Sequence, residues 1–189
     1  MAQAIISGVK DAGLDASIIV GEPFEARRES LKSDLGVEVT ASNREAIAGA
    51  DIVVLSVKPQ QLEAVAEELD GALNADQTVL SIMAGVKIHS IGLKLNHTKL
   101  IRVMPNTPAQ IRKGISAWTA SDDVEQATLD FVASMLSAIG DELKFNDEKN
   151  IDIATALSGS GPGYVFVFIE ALTDAGVELG LPVHVARHL

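Results

Sequence analysis

Apolar and polar positions alternate between two periods along most of this chain. Near the start, Ala4, Ile5, Gly8 and Val9 share one helical face, with Gly13 as a stop. "SIIV", Ser17 to Val20, is a short apolar run ending at Gly21-Glu22-Pro23 and predicts a buried strand. The amphipathic "FEARRESLKSDLG" predicts a helix closed by Gly36, and "VEVT" a strand. In "SNREAIAGA" Ser42 stands three residues before Glu45, the spacing of a capping box at the start of a short helix. "DIVVLSV", Asp51 to Val57, is apolar without alternation, as in strands covered on both faces of a parallel sheet.

The rhythm then repeats. "QQLEAVAEEL" reads as helix, "TVLSIMAG" as strand, "IHSIGLKL" as helix and "KLIRVMP" as strand. "GISAWTA" fits an edge strand, "DVEQATLDFVASMLSAIG" a helix and "DELKFN" a last short strand. From Glu148 onward the pattern is helical, interrupted only at "SGSGP". Such alternation predicts an α/β fold with a mostly parallel sheet over residues 1–146, followed by the start of an all-helical unit over 147–189.

Sheets of this kind carry their sites at the carboxyl ends of the strands. Those ends are Gly21-Glu22-Pro23, Ser42-Asn43, Ser56-Val57-Lys58-Pro59, Met83-Ala84-Gly85 and Met104-Pro105-Asn106-Thr107-Pro108. Each alone is ordinary turn chemistry. Five such stretches on one edge predict a ligand groove, with a cofactor as its occupant.

The glycine-rich "ALSGSGPGYVFVF" is no second such site. A dinucleotide fingerprint needs Gly-x-Gly-x-x-Gly after a strand, yet counting from Gly159 and Gly161 leads to Tyr164, and a helical pattern precedes it. A nucleophile elbow needs Gly-x-Ser-x-Gly, and Ser158 occupies its first position around Ser160. What remains is a close approach of backbones, with Pro162 suited to the first turn of a helix.

Composition narrows the function. A net charge of -11 over 189 residues argues against a nucleic-acid partner, which requires a basic face. No apolar run approaches the ~20 residues of a membrane span, and "MAQAIISGVKDAG" lacks the basic leader of a secretory signal. The absence of cysteine excludes disulfides and thiolate metal sites, and fits a reducing, cytoplasmic location. His89, His97, His184 and His188 are scattered or lack a third ligand, so no metal site is predicted.

If the fold binds a dinucleotide, its glycine turn should come first. Met1 and Ala2 stand where the third position of Gly-x-Gly-x-x-Gly/Ala would lie, and Ala2 suits close helix–strand packing there. The chain is therefore expected to lack the first strand and its two glycines.

"VKPQQ", "MPNTP" and above all "TALSGSGPGYVFVFIEAL" resemble the pyrroline-5-carboxylate reductases, and the resemblance runs through all 189 residues. It implies a Rossmann-type domain followed by a helical domain through which subunits dimerise into a homo-oligomer. The implied reaction is hydride transfer from NADPH, with NADH possible, to the C=N bond of 1-pyrroline-5-carboxylate, giving L-proline in the last step of proline biosynthesis. A protonated cyclic imine is already electrophilic, so positioning and electrostatics suffice and no catalytic side chain is assigned.

By the same resemblance Met1 and Ala2 lie by the pyrophosphate, and Asn43 near the adenosine ribose. Ser56, Val57, Lys58, Pro59, Met83 and Ala84 line the cofactor, with Asn106 near the nicotinamide. Glu148 and Thr155 match positions facing the substrate. Against these stand plainer readings: a solvated helix-start carboxylate for Glu148 and a capping or packing role for Thr155. An acidic residue after the second strand, Glu22, suits the ribose hydroxyls of NAD, whereas Arg27 or Arg28 suits the 2′-phosphate of NADP. The resemblance favours NADP.

In the family the Ser-Gly-Ser-Gly-Pro turn starts a helix beside the substrate pocket, and a later Ser-Pro-Gly-Gly-Thr loop clasps the substrate. This chain reaches Leu189 without that loop, so a fragment, inactive as it stands, is expected. Two alternatives remain. One is a non-catalytic nucleotide-binding protein. The other is a hydroxyacid dehydrogenase of the same architecture, which would need a lysine on the long second-domain helix; "VFVFIEALTDAGVELGL" has none.

Overall fold

A computed structural model describes residues 1–189. Helix α1 (Ala2–Asp11) precedes β1 (Ile19–Gly21), α2 (Glu25–Leu35), β2 (Glu38–Thr40) and α3 (Asn43–Ile47). Then come β3 (Ile52–Leu55), a 3₁₀ turn at Pro59–Gln61, α4 (Leu62–Leu69), β4 (Thr78–Ser81) and α5 (Ile88–Leu95). Strand β5 (Leu100–Pro105), a 3₁₀ turn at Thr107–Ile111, β6 (Gly114–Ala120), α6 (Gln126–Ser137) and β7 (Gly140–Lys144) complete the sheet region. The rest is helical: α7 (Lys149–Ala154), one π turn at Thr155–Gly159, α8 (Gly161–Glu178) and α9 (Val183–His188).

Val79 and Leu80 show how the layers arise. Neighbours on β4, they point to opposite faces, and both are completely buried. Leu80 joins Ile5 and Val9 of α1, Val103, Trp118, and Val132 and Leu136 of α6. Val79 joins Val53 and Leu55 of β3, Leu62 and Leu69 of α4, and Ile91 of α5. Helices thus cover both faces of the sheet, which is why β3 and β4 read as apolar without alternation. Helix α1 reaches its place through Gly8, where a Cβ would lie 2.6 Å from Ile139 Cγ2 and 3.1 Å from the Ala138 carbonyl.

The sheet is divided. β1 and β2 form a parallel pair, and β3-β4-β5-β6-β7 form a separate sheet in which only the β5–β6 pairing is antiparallel. Each sheet keeps an apolar strand residue in the open, Ile19 of β1 at 40% and Val54 of β3 at 37%. A small cluster of Ile6, Leu31 and Val37 ties the β1–β2 pair to α1 and α2.

Three expectations are corrected. "GISAWTA" is an interior strand, because β7 pairs along its outer side and leaves Ala117 and Trp118 buried; the edge is β7. The strands are shorter than their apolar runs: "DIVVLSV" pairs only over Ile52–Leu55, and "SIIV" over Ile19–Gly21. The "SGSGP" stretch is helical, since Ser160 N–H donates to the Thr155 carbonyl at 2.9 Å, five residues back, and the chain winds from α7 through the π turn towards α8.

Residues after β7 divide by burial. Helix α7 packs on β5 and β6, with Ile151 completely buried. Helices α8 and α9 pack chiefly on each other and bury no residue. No helix is long and apolar enough to cross a membrane.

Candidate active site

Strands β3, β4 and β5 are parallel and in register, Leu55 beside Ser81 and Ser81 beside Arg102. Their carboxyl ends therefore share one edge, which gathers Ser56, Val57, Lys58 and Pro59 after β3, Met83 and Ala84 after β4, and Asn106 after β5. The Lys58 N–H donates to Gln61 Oε1 at 3.0 Å, which fixes the turn, while its ammonium enters none of the chain's ion pairs. Ala84 is exposed, but the Met83 side chain is only 2% exposed and belongs to the core. Met83 can offer a ligand its backbone alone.

A second group lies at the ends of β1 and β2. The Glu22 carboxylate accepts the Phe24 N–H at 3.1 Å and stands 3.5 Å from Arg27 Nε. Arg28 Nη1 donates to the carbonyls of Glu22 and Pro23, both at 2.8 Å, so Arg28 braces the turn while Arg27 stays largely exposed. Asn43 sits over the end of β1, its Oδ1 2.5 Å from where a Cβ on Gly21 would be. Ser42 accepts the Glu45 N–H at 3.3 Å as the expected cap, but Glu45 turns its carboxylate to the Thr40 hydroxyl, so only half of the capping box forms. No hydrogen bond joins this group to the β3–β5 edge. Met1 and Ala2 are half-buried at the start of α1, and Met1 packs on the Leu80 cluster.

The helical segment is bound to the sheet by a charge that the residue pattern did not flag. Arg102, in the middle of apolar β5, is 1% exposed and donates through Nη1 to Glu148 Oε1 at 3.0 Å and through Nη2 to Asp152 Oδ1 at 2.6 Å. Glu148 Oε1 also accepts the Ile88 N–H at 2.8 Å, so one carboxylate ties the start of α5, β5 and α7 together. A buried charge persists only when paired, and an arginine inside "LIRVMP" is the signal that could have announced this cluster. Its Nε has no partner.

Asn106 forms a second tie. Its Oδ1 accepts the Ile115 N–H at 2.9 Å, and its Nδ2 donates to the Ser158 carbonyl at 3.2 Å, holding the π turn against the end of β5. Three hydroxyls bond back along the helix: Thr155 to the Ile151 carbonyl (2.7 Å), Ser158 to Ala154 (3.0 Å) and Ser160 to Thr155 (3.0 Å). Those of Thr155 and Ser160 add a second donor at the Ile151 and Thr155 carbonyls, which already accept the Thr155 and Ser160 N–H groups. Gly159 lies under Met104, whose Cε would be 2.8 Å from a Cβ there. Single π turns within helices occur often at functional sites.

The structure thus brings Asn106, Thr155 and Glu148 to the sheet–helix junction. Glu22 and Asn43 lie together at the far strands. Arg102, Asp152 and Ser158 were missed because their partners lie 46 to 52 residues away. The chemistry fits a dinucleotide, with a free ammonium at Lys58 for phosphate, and a carboxylate and an amide oxygen at Glu22 and Asn43 for ribose hydroxyls.

Residues 1–85 match a family described as NADP oxidoreductase coenzyme F420-dependent, and residues 148–189 one described as pyrroline-5-carboxylate reductase dimerisation. The pyrroline-5-carboxylate reductase of Pseudomonas aeruginosa is 41% identical over all of this chain and 70% of its own length. The solved structure of the Coxiella burnetii reductase superposes with a TM-score of 0.87 at 34% identity, covering 98% of this chain and 70% of that one. The Plasmodium falciparum pyrroline carboxylate reductase, solved with NADP bound, gives 0.84 at 28% identity, over 98% of this chain and 69% of that one.

Proposed function

Because the chain belongs to the pyrroline-5-carboxylate reductase family, we infer that the sheet edge and the π turn form the two walls of its reaction site. The protein is an NADPH-dependent oxidoreductase of proline biosynthesis, reducing 1-pyrroline-5-carboxylate to L-proline as a homo-oligomer. Bound NADPH supplies the hydride. The imine carbon accepts it, and the ring nitrogen, already protonated, becomes the amine of proline. Everything else the protein must do is binding and orientation.

In this reading Lys58 faces a phosphate of the dinucleotide, with Ser56, Val57, Pro59, Ala84 and the Met83 backbone forming the floor of the groove. Met1 and Ala2 lie towards the pyrophosphate. Glu22 and Asn43 serve the adenosine ribose, and exposed Arg27, which has only Glu22 to release, serves the 2′-phosphate. Asn106 has both ends of its amide engaged, so its part is to hold the π turn at the nicotinamide end. Glu148 acts in the same way through Arg102 and Ile88, with its second oxygen left for the substrate side. Thr155 presents its hydroxyl at the turn. The division at 146/147 then separates a cofactor unit from a substrate and dimerisation unit, with α7 as the hinge piece fastened to the sheet. A chain without cysteine suits the cytoplasm, where we place the reaction.

The observation that carries this reading is the tie from Asn106 to Ser158, which sets the "SGSGP" turn on the carboxyl end of a sheet strand. The test is NADPH oxidation by the full chain, with proline identified as product. Asn106→Ala should lower kcat/KM for the imine about 10-fold and leave the NADPH Kd within about 2-fold, since it removes two part-buried hydrogen bonds worth about 1 kcal/mol each. Proline formation unaffected by that change would contradict the assignment.

A further inference from the structure

The Asn43 amide is held in one of its two orientations, and a neighbour decides which. The Glu68 carboxylate, at the C-terminal end of α4, accepts the Asn43 N–H at 2.8 Å and Asn43 Nδ2 at 2.7 Å. A carboxylate only accepts, so the amide must turn its NH₂ group towards Glu68. Oδ1 then lies against the Gly21 backbone at the end of β1, and the hydrogen bonds of Asn43 to Glu68 leave it without a donor. Gly21 has to lack a side chain for this arrangement, because its Cβ would fall 2.5 Å from that oxygen. Arg44 holds the same contact shut, its Nε donating to the Glu68 carbonyl at 2.6 Å and its Nη2 to the Asp70 carbonyl.

We propose that Glu68 is a positioning residue for cofactor binding: it locks Asn43 with its oxygen away from Glu68, at the end of β1, so that the adenosine subsite selects a ribose hydroxyl as donor. An unrestrained asparagine could flip and present NH₂, a donor suited to a phosphate oxygen. With Glu68 in place the flipped form sets the amide oxygen against a carboxylate, which is repulsive. The 2′-oxygen of NADPH carries its phosphate, so the donor left for Asn43 is the 3′-hydroxyl, while Arg27 remains for the phosphate. The inference rests on the reading of Asn43 as a ribose contact and adds the residue that makes the contact one-sided.

A double-mutant cycle on the full chain tests it, with NADPH Kd from fluorescence titration as the primary readout. Asn43→Ala should weaken NADPH about 10-fold, and Glu68→Ala about 5-fold, the range of one hydrogen bond. Glu68→Ala in the Asn43→Ala background should change nothing further, and Glu68→Gln, which keeps one acceptor, should fall between the parent and Glu68→Ala. At saturating NADPH the kcat and the KM for the imine should stay within about 2-fold in Glu68→Ala and Glu68→Gln, as a role in cofactor affinity alone requires. If Asn43→Ala binds NADPH like the parent, the ribose reading and the inference fall together. If Asn43→Ala weakens binding but Glu68→Ala does not, or if the two effects multiply in the double variant, the ribose reading stands and the role of Glu68 is refuted.

Discussion

Helices α6 and α8 are both rich in apolar residues, yet the chain treats them in opposite ways. Helix α6, 12 residues long, buries Leu129, Val132, Met135 and Leu136, a stripe at helical spacing that faces β4 to β6. Helix α8, 18 residues long, buries none. Its run Val165, Phe166, Val167, Phe168, Ile169 is 49–65% exposed throughout. Five consecutive positions turn through more than a full circle, so no single face of α8 could be satisfied by packing on one sheet. An apolar stripe asks for one neighbour within the chain. An apolar cylinder asks to be enclosed, and the region holding it, 148–189, is the one that matches the dimerisation family. The sheet region buries its apolar stripes within the chain, whereas the helical region leaves its own in the open where the chain matches a dimerisation family.

Charge placed on each helix separates the two cases, and here the largest effects are expected. Val132→Asp puts an unpaired carboxylate at a fully buried site and should abolish cooperative unfolding, a loss above about 4 kcal/mol. Phe166→Asp combined with Phe168→Asp should instead leave the sheet region folded and its NADPH Kd within about 2-fold. Light scattering should show the oligomer falling apart, and reductase activity should vanish. If the double variant unfolds as Val132→Asp does, the two helices are not different in kind.

A smaller effect probes the border between the regions. Arg102→Met leaves Glu148 and Asp152 without their cation. Since these carboxylates are 29% and 49% exposed, water takes up part of the loss, and about 2–3 kcal/mol is expected, below the 3–5 typical of fully enclosed pairs. Asp152→Asn should cost only about 1 kcal/mol. Chemical denaturation measures both, and equal losses would mean that Arg102 is not the centre of the cluster.

The smallest effect belongs to the surface of the sheet region, where nothing is buried. Asp34 on α2 is exposed; the Ser30 hydroxyl first, and then that of Ser33, hold its carboxyl below the usual carboxylate range. A lowered folded-state value means a contribution present above the unfolded carboxylate pKa that fades as pH falls through the folded one. Asp34→Asn should therefore differ slightly from the parent near neutrality and converge with it on acidification, as followed by melting temperature against pH. A difference that grew in acid would reverse the assignment.

Much of this was legible beforehand. The helix at Ile88–Leu95 falls where its apolar spacing puts it, and Gly36 closes α2 in the left-handed conformation, φ 59°. Pro162 stands in the first turn of α8, as its missing N–H allows. The helical winding of "SGSGP" was not legible, because glycine and serine suit a loop equally well locally. It is decided by Asn106 from one side and by hydroxyls folded back along the chain from the other. Nor could Met83 be told from a groove residue, since a strand end and a core position differ only in what packs beside them.

By itself the sequence determined the elements, their order and the family, and predicted which strand ends would take a cofactor, because periodicity, caps and turn residues act over a few positions along the chain. Tertiary structure alone decided that β6 is interior, that Arg102 meets two carboxylates 46 and 50 residues later, and that the Asn43 amide donates to Glu68. Those outcomes depend on which surfaces meet once the layers stack, and a charge or an amide acquires its role only from the partner that stacking brings within 3 Å.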